Sequence, residues 1–276
     1  ITRSVVQHRL SSIVKEMGEA MLRTSYSQIL NSSRDFSLAI CDTRGRLIAQ
    51  ADHLPVHVGA LPWATLAVEQ RFRDVHPGDV ILLNDPYHGG HNTHLPDWGY
   101  IRPIFYNGEL LFFTLCRGHQ MDTGGSFPGG YFPNGYDIHA EGLIIPPIKV
   151  IDRGRERKDL INLILNNVRF ADGVRVDLHA MIGSTTMCEK RVLALLDMYG
   201  RDTVLASIQE MMRRTEIAVR EEIRKIPDGV YVGAAATDDD GTTLDEQVWV
   251  RAKITIKGDE MTIDLSESDA QRKGFV

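Results

Sequence analysis

Cysteine is scarce in this chain: Cys41, Cys116 and Cys188 are the only three among 276 residues, they lie far apart, and none belongs to a CxxC pair. Neither a disulfide framework nor a thiolate zinc knuckle is therefore expected, and a reducing cytoplasm is the compartment that fits. Long apolar runs are missing too. No uninterrupted stretch approaches the ~20 residues of a membrane span, and Ile1-Thr2-Arg3-Ser4 is not a charged leader followed by an apolar core. The expectation is a protein neither membrane-spanning nor exported by that route. Positive charge is not in excess: a formal charge of -6 and a pI near 5.9 leave no broad basic field, which speaks against nucleic acid as a main partner. A GxGxxG turn, a GxxxxGK phosphate loop and a GxSxG nucleophile elbow are all absent, so a nucleotide site and side-chain nucleophilic catalysis fit poorly. The acidic run Asp238-Asp239-Asp240 lacks the spacing of a calcium loop and reads as a solvated turn.

What remains is an ordinary globular composition, long enough to bury a substantial core. Val6, Leu10, Ile13, Met17 and Met21 recur at helical spacing and predict an opening amphipathic helix that frays near residues 24–27. Segments 35–41 and 46–50, joined by Asp42-Thr43-Arg44-Gly45, predict a hairpin. Further strands are expected over 79–83, 100–105, 110–116 and 143–150, with Asn107-Gly108 as a tight turn that pairs the middle two antiparallel. Helices are expected over 159–168, 184–199 and 202–225, the last two broken at Gly200. From residue 227 the pattern turns to strands, with Val248, Val250, Ala252, Ile254 and Ile256 alternating strictly. The fold class is α+β: a mixed α/β main domain over 1–226, with antiparallel hairpins and a Gly-rich loop, then the start of a β-rich unit over 227–276 that is expected to be incomplete.

The chemistry concentrates in Tyr87-His88-Gly89-Gly90-His91-Asn92-Thr93-His94-Leu95-Pro96-Asp97 and in Arg117-Gly118-His119-Gln120-Met121-Asp122. Imidazole and carboxylate together suit zinc, manganese or ferrous iron better than calcium or magnesium. Pro96 blocks a helical reading of His94 and Asp97, so these are not a HExxH pair. If the predicted hairpin forms, His94 and Asp97 enter one strand while His119 leaves its partner, and the three converge as two histidines and one carboxylate with coordination positions left open. The bland alternative is a set of loop histidines. His88 and His91 read as groups around the metal or contacting substrate rather than ligands. Asp122 admits three roles: orienting His119, binding metal, or capping a turn. His57, in Pro55-Val56-His57-Val58-Gly59, reaches the same pocket in one reading and is a buried, hydrogen-bonded histidine in the other. Asn84-Asp85-Pro86 reads as a side-chain-closed turn that launches the loop, and the four glycines and two prolines over 123–134 as a binding loop.

Several of these segments occur together, in order, in one family. Ser33-Arg34-Asp35-Phe36-Ser37, Gly45-Arg46-Leu47-Ile48-Ala49-Gln50, Pro55-Val56-His57-Val58-Gly59, Asn84-Asp85-Pro86-Tyr87, Thr93-His94-Leu95-Pro96-Asp97 and Gly142-Leu143-Ile144-Ile145-Pro146-Pro147 resemble the hydantoinase B/oxoprolinase family. The resemblance runs from near residue 9 to the end of the chain. It implies one half of a two-component enzyme, in which a separate hydantoinase A-type subunit uses ATP and the B-type part holds a divalent metal, zinc or manganese, in a hetero-oligomer. It also implies metal ligands at His94, Asp97 and His119; the residues themselves offer His57, His88, His91 and Asp122 as catalytic candidates around them. The family's B-type subunits are usually longer than this chain.

The hydrolase-like pattern of that family commonly carries a second histidine after the His119 position, whereas this chain has Gln120, and Gly118-His119-Gln120-Met121-Asp122 looks more like the carboxylases. The leading expectation is therefore an ATP-dependent carboxylase acting on a ketone and bicarbonate, of the acetone or acetophenone type. The alternatives are ATP-dependent opening of a cyclic amide such as a hydantoin, oxoproline or lactam, and a scaffold subunit whose metal is structural.

Overall fold

The structure is a computed structural model of the chain, and it describes residues 2–87, 94–274 and 276. Its contacts divide it into two units, residues 1–131 with 141–208, and residues 132–140 with 209–276.

The first unit is built on a seven-stranded sheet in which every neighbouring pair is antiparallel. Its strands are β1 (Phe36–Asp42), β2 (Leu47–Asp52), β3 (Val80–Leu83), β4 (Asp97–Tyr106), β5 (Glu109–His119), β6 (Ile148–Asp152) and β7 (Arg155–Glu156), in the order β2-β1-β5-β4-β3-β6-β7. Helices cover both faces. On one lie α1 (Thr2–Thr24) and α5 (Ala171–Tyr199), where Thr114 and Cys116 of β5 meet Met17 and Met21 of α1. On the other lies α3 (Leu61–Arg71), where Leu61, Ala64, Ala67 and Val68 pack with Ala39, Cys41, Ile81, Leu83, Ile101, Phe113 and Leu115. Successive residues of a strand point to opposite faces, so a strand covered on both sides is apolar throughout. β1 and β3 are buried at every position for that reason. The short α2 (Gln28–Asn31) and α4 (Lys158–Leu165) complete this unit's helices.

α6 (Arg201–Ile223) begins in the first unit and ends in the second. The second unit contains an antiparallel sheet of β8 (Gly229–Thr237), β9 (Val248–Lys257) and β10 (Glu260–Asp264). β9 falls on the segment whose apolar residues alternate over 248–256.

The structure differs from the expected elements at four places. β4 begins at Asp97 and β5 reaches His119, so the hairpin is longer at its open end than its apolar core suggested. Residues 143–147 are not strand, because Pro146-Pro147 withhold the backbone donors a ladder needs; β6 starts at Ile148. α5 starts at Ala171 rather than 184, since Gly173, Asp177 and Gly183 interrupt the apolar stripe although Asp177 is fully buried. Its carboxylate accepts from Tyr26 N at 2.6 Å and Ser27 N at 3.2 Å, which hides a charge-bearing residue in the core. α3, led by Pro62, was not anticipated. Among the described residues no helix is long and apolar enough to cross a membrane.

Candidate metal centre

The β4–β5 hairpin frames the site. Asn107 and Gly108 both take positive φ at its turn, which matches the twist of the flanking strands. The ladder then runs back through Ile101 opposite Leu115 and Gly99 opposite Arg117 to Asp97 opposite His119. Directly opposed residues share a face, so Asp97 and His119 stand side by side. β1 extends the row: Phe36 opposes Gly118, and one residue further His119 N donates to Asp35 O at 3.0 Å.

His94 comes from the turn before β4, and Asn84 holds that turn. Its amide nitrogen donates to Leu95 O at 2.8 Å and Leu143 O at 2.9 Å, while its oxygen accepts from Ile145 N at 2.7 Å. The turn closed by a side chain belongs to Asp85, which accepts from Tyr87 N at 2.8 Å. His57 comes from a 3-10 segment over Pro55–Ala60, secured to β1 where Ser37 Oγ donates to Leu54 O at 2.7 Å.

The side chains converge on Asp97, which is almost wholly buried. Its Oδ1 lies 2.9 Å from His94 Nε2 and 3.4 Å from His119 Nδ1, and its Oδ2 lies 3.1 Å from His57 Nε2. Asp35 stands behind, with Oδ1 3.6 Å from His57 Nε2 and Oδ2 3.9 Å from His119 Nδ1. The donor atoms of His94, Asp97 and His119 all lie within 4.8 Å of one another, as do those of Asp35, His57 and Asp97. Two imidazole nitrogens and a carboxylate oxygen at this spacing form a donor set that could hold a metal ion.

Electrostatics bind the cluster together. Burial pushes the Asp97 carboxyl up, but hydrogen bonds from His119, His57 and His94 outweigh it and hold the group well below the usual carboxylate range. Burial pulls His94 down, yet its bond to Asp97 and the charges of Asp97, Asp35 and Glu141 raise it overall. On the same face Arg117 is buried, which lowers its guanidinium to about 10 against the opposing pull of Asp97. Tyr131 covers the imidazoles, its ring 5.8 Å from that of His119 and nearly parallel at 15°, and 5.9 Å from that of His94 at 89°.

The structure thus brings His94, Asp97, His119 and His57 together. His88 and His91 lie outside the described residues. Asp122 is not in the cluster: its Oδ2 accepts from Arg169 N and from Phe170 N at 3.3 Å, and its Oδ1 from Gly124 N at 3.0 Å and Arg169 Nη1 at 3.2 Å. That pattern ties the glycine-rich loop to the segment before α5. Gln120 also points elsewhere, its amide nitrogen 3.3 Å from Gly118 O and 3.2 Å from Met181 Sδ of α5. Asp35, Arg117 and Tyr131 were not singled out from sequence. Each lay in a segment with a signal: Asp35 in the Ser33–Ser37 motif, Arg117 beside His119, and Tyr131 in the glycine-rich loop. The cysteines are buried, and burial raises all three thiols to about 12, which suits core residues.

Comparison with known proteins agrees with this architecture. The family model of hydantoinase B/oxoprolinase matches residues 1–276. The beta chain of caprolactamase from Pseudomonas jessenii is 39% identical over 277 residues, covering 100% of this chain and 47% of that protein. The crystal structure of the ATP-dependent caprolactamase from Pseudomonas jessenii superposes with a TM-score of 0.93 at 37% identity, covering 100% of this chain and 47% of that one. The B-type component of a putative D-/L-hydantoinase from Pseudomonas sp. (strain NS671) is 32% identical over 280 residues, covering 98% of this chain and 47% of that protein. An acetone carboxylase structure shares the fold, with a TM-score of 0.87 at 21% identity over 97% of this chain and 37% of that one. The chain spans about half the length of the relatives it matches. With the family model matched from end to end, the chain belongs to the hydantoinase B/oxoprolinase family.

Proposed function

We propose that the chain is the metal-holding part of an ATP-dependent enzyme that opens a cyclic amide, with ATP used by a hydantoinase A-type partner in a hetero-oligomer. The observation that carries this reading is the convergence of His94, Asp97 and His119 in a chain 39% identical to one component of a caprolactamase. His94, Asp97 and His119 would hold the ion, with Asp35 beside them. A bound zinc or manganese ion supplies Lewis acidity for hydrolysis of the activated amide.

The protein's own groups prepare that chemistry. Asp97 stays ionised because its imidazole contacts override burial. His57 engages Oδ2 of Asp97 and leaves Oδ1 toward His94 and His119, so it acts through Asp97 as a positioning residue. Asp122 takes the loop-capping role among its three alternatives.

The ketone-carboxylase expectation rested on Gln120, and that side chain is turned toward Met181 rather than the imidazoles. Its identity therefore carries little information about the reaction. A scaffold with a purely structural metal fits less well, since His94 and Tyr131 are partly exposed beside the buried Asp97.

The test uses the complete complex with its partner, given ATP and a panel of lactams, hydantoin and oxoproline, and in parallel acetone or acetophenone with labelled bicarbonate. ATP-dependent ring opening without label in an acid-stable product is expected. Label fixed into a ketone-derived acid, with every cyclic amide left intact, would overturn the proposal in favour of carboxylation.

A further inference from the structure

We infer that Tyr131 is the aromatic wall of the substrate site, selecting cyclic amides through the apolar methylenes of their rings. This assignment rests on the cyclic-amide reading above and adds the residue that sets its specificity.

The argument begins in the loop Ser126-Phe127-Pro128-Gly129-Gly130-Tyr131. Gly129 and Gly130 take φ of 78° and 70°, a region that costs little only for glycine. A Cβ on Gly130 would lie 2.2 Å from Cγ of Pro96, so the loop rests directly on the proline between His94 and Asp97. A side chain at position 130 would push the loop off that turn. The next residue is thereby set over the imidazoles, in the parallel and edge-on contacts with His119 and His94.

The loop's root is equally fixed. Arg169 donates to Gly124 O at 3.5 Å and Gly125 O at 2.6 Å while engaging Asp122, and Leu143 N donates to Thr123 O at 2.8 Å. Trp98 Nε1 donates to Thr123 Oγ1 at 3.1 Å. Tyr131 is held in place at both ends of its loop, yet it remains 56% exposed. An aromatic ring kept that open contributes little to a core, and its exposed surface beside the imidazoles is available to a bound molecule.

A lactam has a polar amide edge and an apolar arc of methylenes. The amide edge would face the Asp97 cluster, and the Tyr131 ring offers carbon for the methylenes. The proposed contact is made by the face of the ring, which phenylalanine would also present.

The experiment measures kcat and KM of the complete complex, with ATP, for lactams of increasing ring size, comparing wild type with Tyr131→Phe and Tyr131→Ala and recording the metal content of each. Tyr131→Phe keeps the ring and is expected to keep the dependence of KM on ring size. Tyr131→Ala is expected to raise KM about tenfold, flatten its dependence on ring size, and keep its metal. Wild-type KM and ring-size dependence in Tyr131→Ala overturn the assignment, and so does loss of metal, which would make the ring a support for the histidines. If the wild-type complex consumes no lactam, the cyclic-amide reading fails and this inference falls with it; the wild-type and variant arms thus separate the two failures.

Discussion

At Asp97 two tendencies oppose each other: burial favours the neutral acid, and three imidazoles favour the carboxylate. The imidazoles prevail, so Asp97→Asn should preserve volume but remove the charge that gathers them. The expected outcome is a folded complex without bound metal and without turnover, read by elemental analysis. His57 should matter less directly. His57→Ala is expected to weaken metal affinity about tenfold to a hundredfold, as loss of a group orienting a ligand does, and His57→Gln, which still offers a donor, should recover part of it. Competitive chelator titration measures both. The pH dependence follows from His94, whose raised pKa means that the metal-free site takes up a proton more readily than an ordinary imidazole. In the metal-free protein the His94–Asp97 bond contributes fully below the ordinary histidine pKa of about 6.5 and is lost as pH rises through the raised value. In the loaded protein the sign reverses, because protons displace the ion. The gap in Tm between loaded and stripped protein should narrow as pH is lowered from neutral toward about 6. A gap that widens would contradict ligation by His94.

At the scale of elements, a single register shift aligns the site. Near the turn Phe105 opposes Leu110, but Ile104 opposes Phe112, so Leu111 is an extra residue in β5. Continued without that bulge, the turn's register would bring Gly118 opposite Asp97 and send His119 to the other face. Sequence made the hairpin and its three metal-capable residues legible, through Asn107-Gly108 and the residue types at the open end. It did not show the bulge. Nor did it show that β1 pairs with β5, a non-consecutive neighbour, which is what places Asp35 in the row. Tyr131 escaped notice because its position depends on Gly130 seated against Pro96, a contact that no local pattern encodes. Asp122 belongs to this scale as well. It is fully buried and holds the loop to the segment before α5, so Asp122→Ala leaves several donors unpaired and should cost about 2–4 kcal/mol of stability. Chemical denaturation of the variant tests this. Wild-type stability together with abolished turnover would instead make Asp122 catalytic.

For the whole molecule, the proposed function implies a division of labour. The chain gathers metal-capable groups at the end of its seven-stranded sheet, and in the reading proposed above a partner uses ATP. The two activities should then be separable by mutation. In the complete complex His94→Ala and His119→Ala are expected to abolish ring opening and lose metal, while nucleotide binding by the partner stays at the wild-type level. Protein purified without the partner is expected to retain metal yet neither hydrolyse ATP nor open a lactam. Because the chain spans about half the length of its relatives, these measurements call for the protein at the length at which it is made. Ring opening by a His94→Ala, His119→Ala double variant at the wild-type rate would place the chemistry elsewhere in the assembly and leave the Asp97 cluster with a structural task.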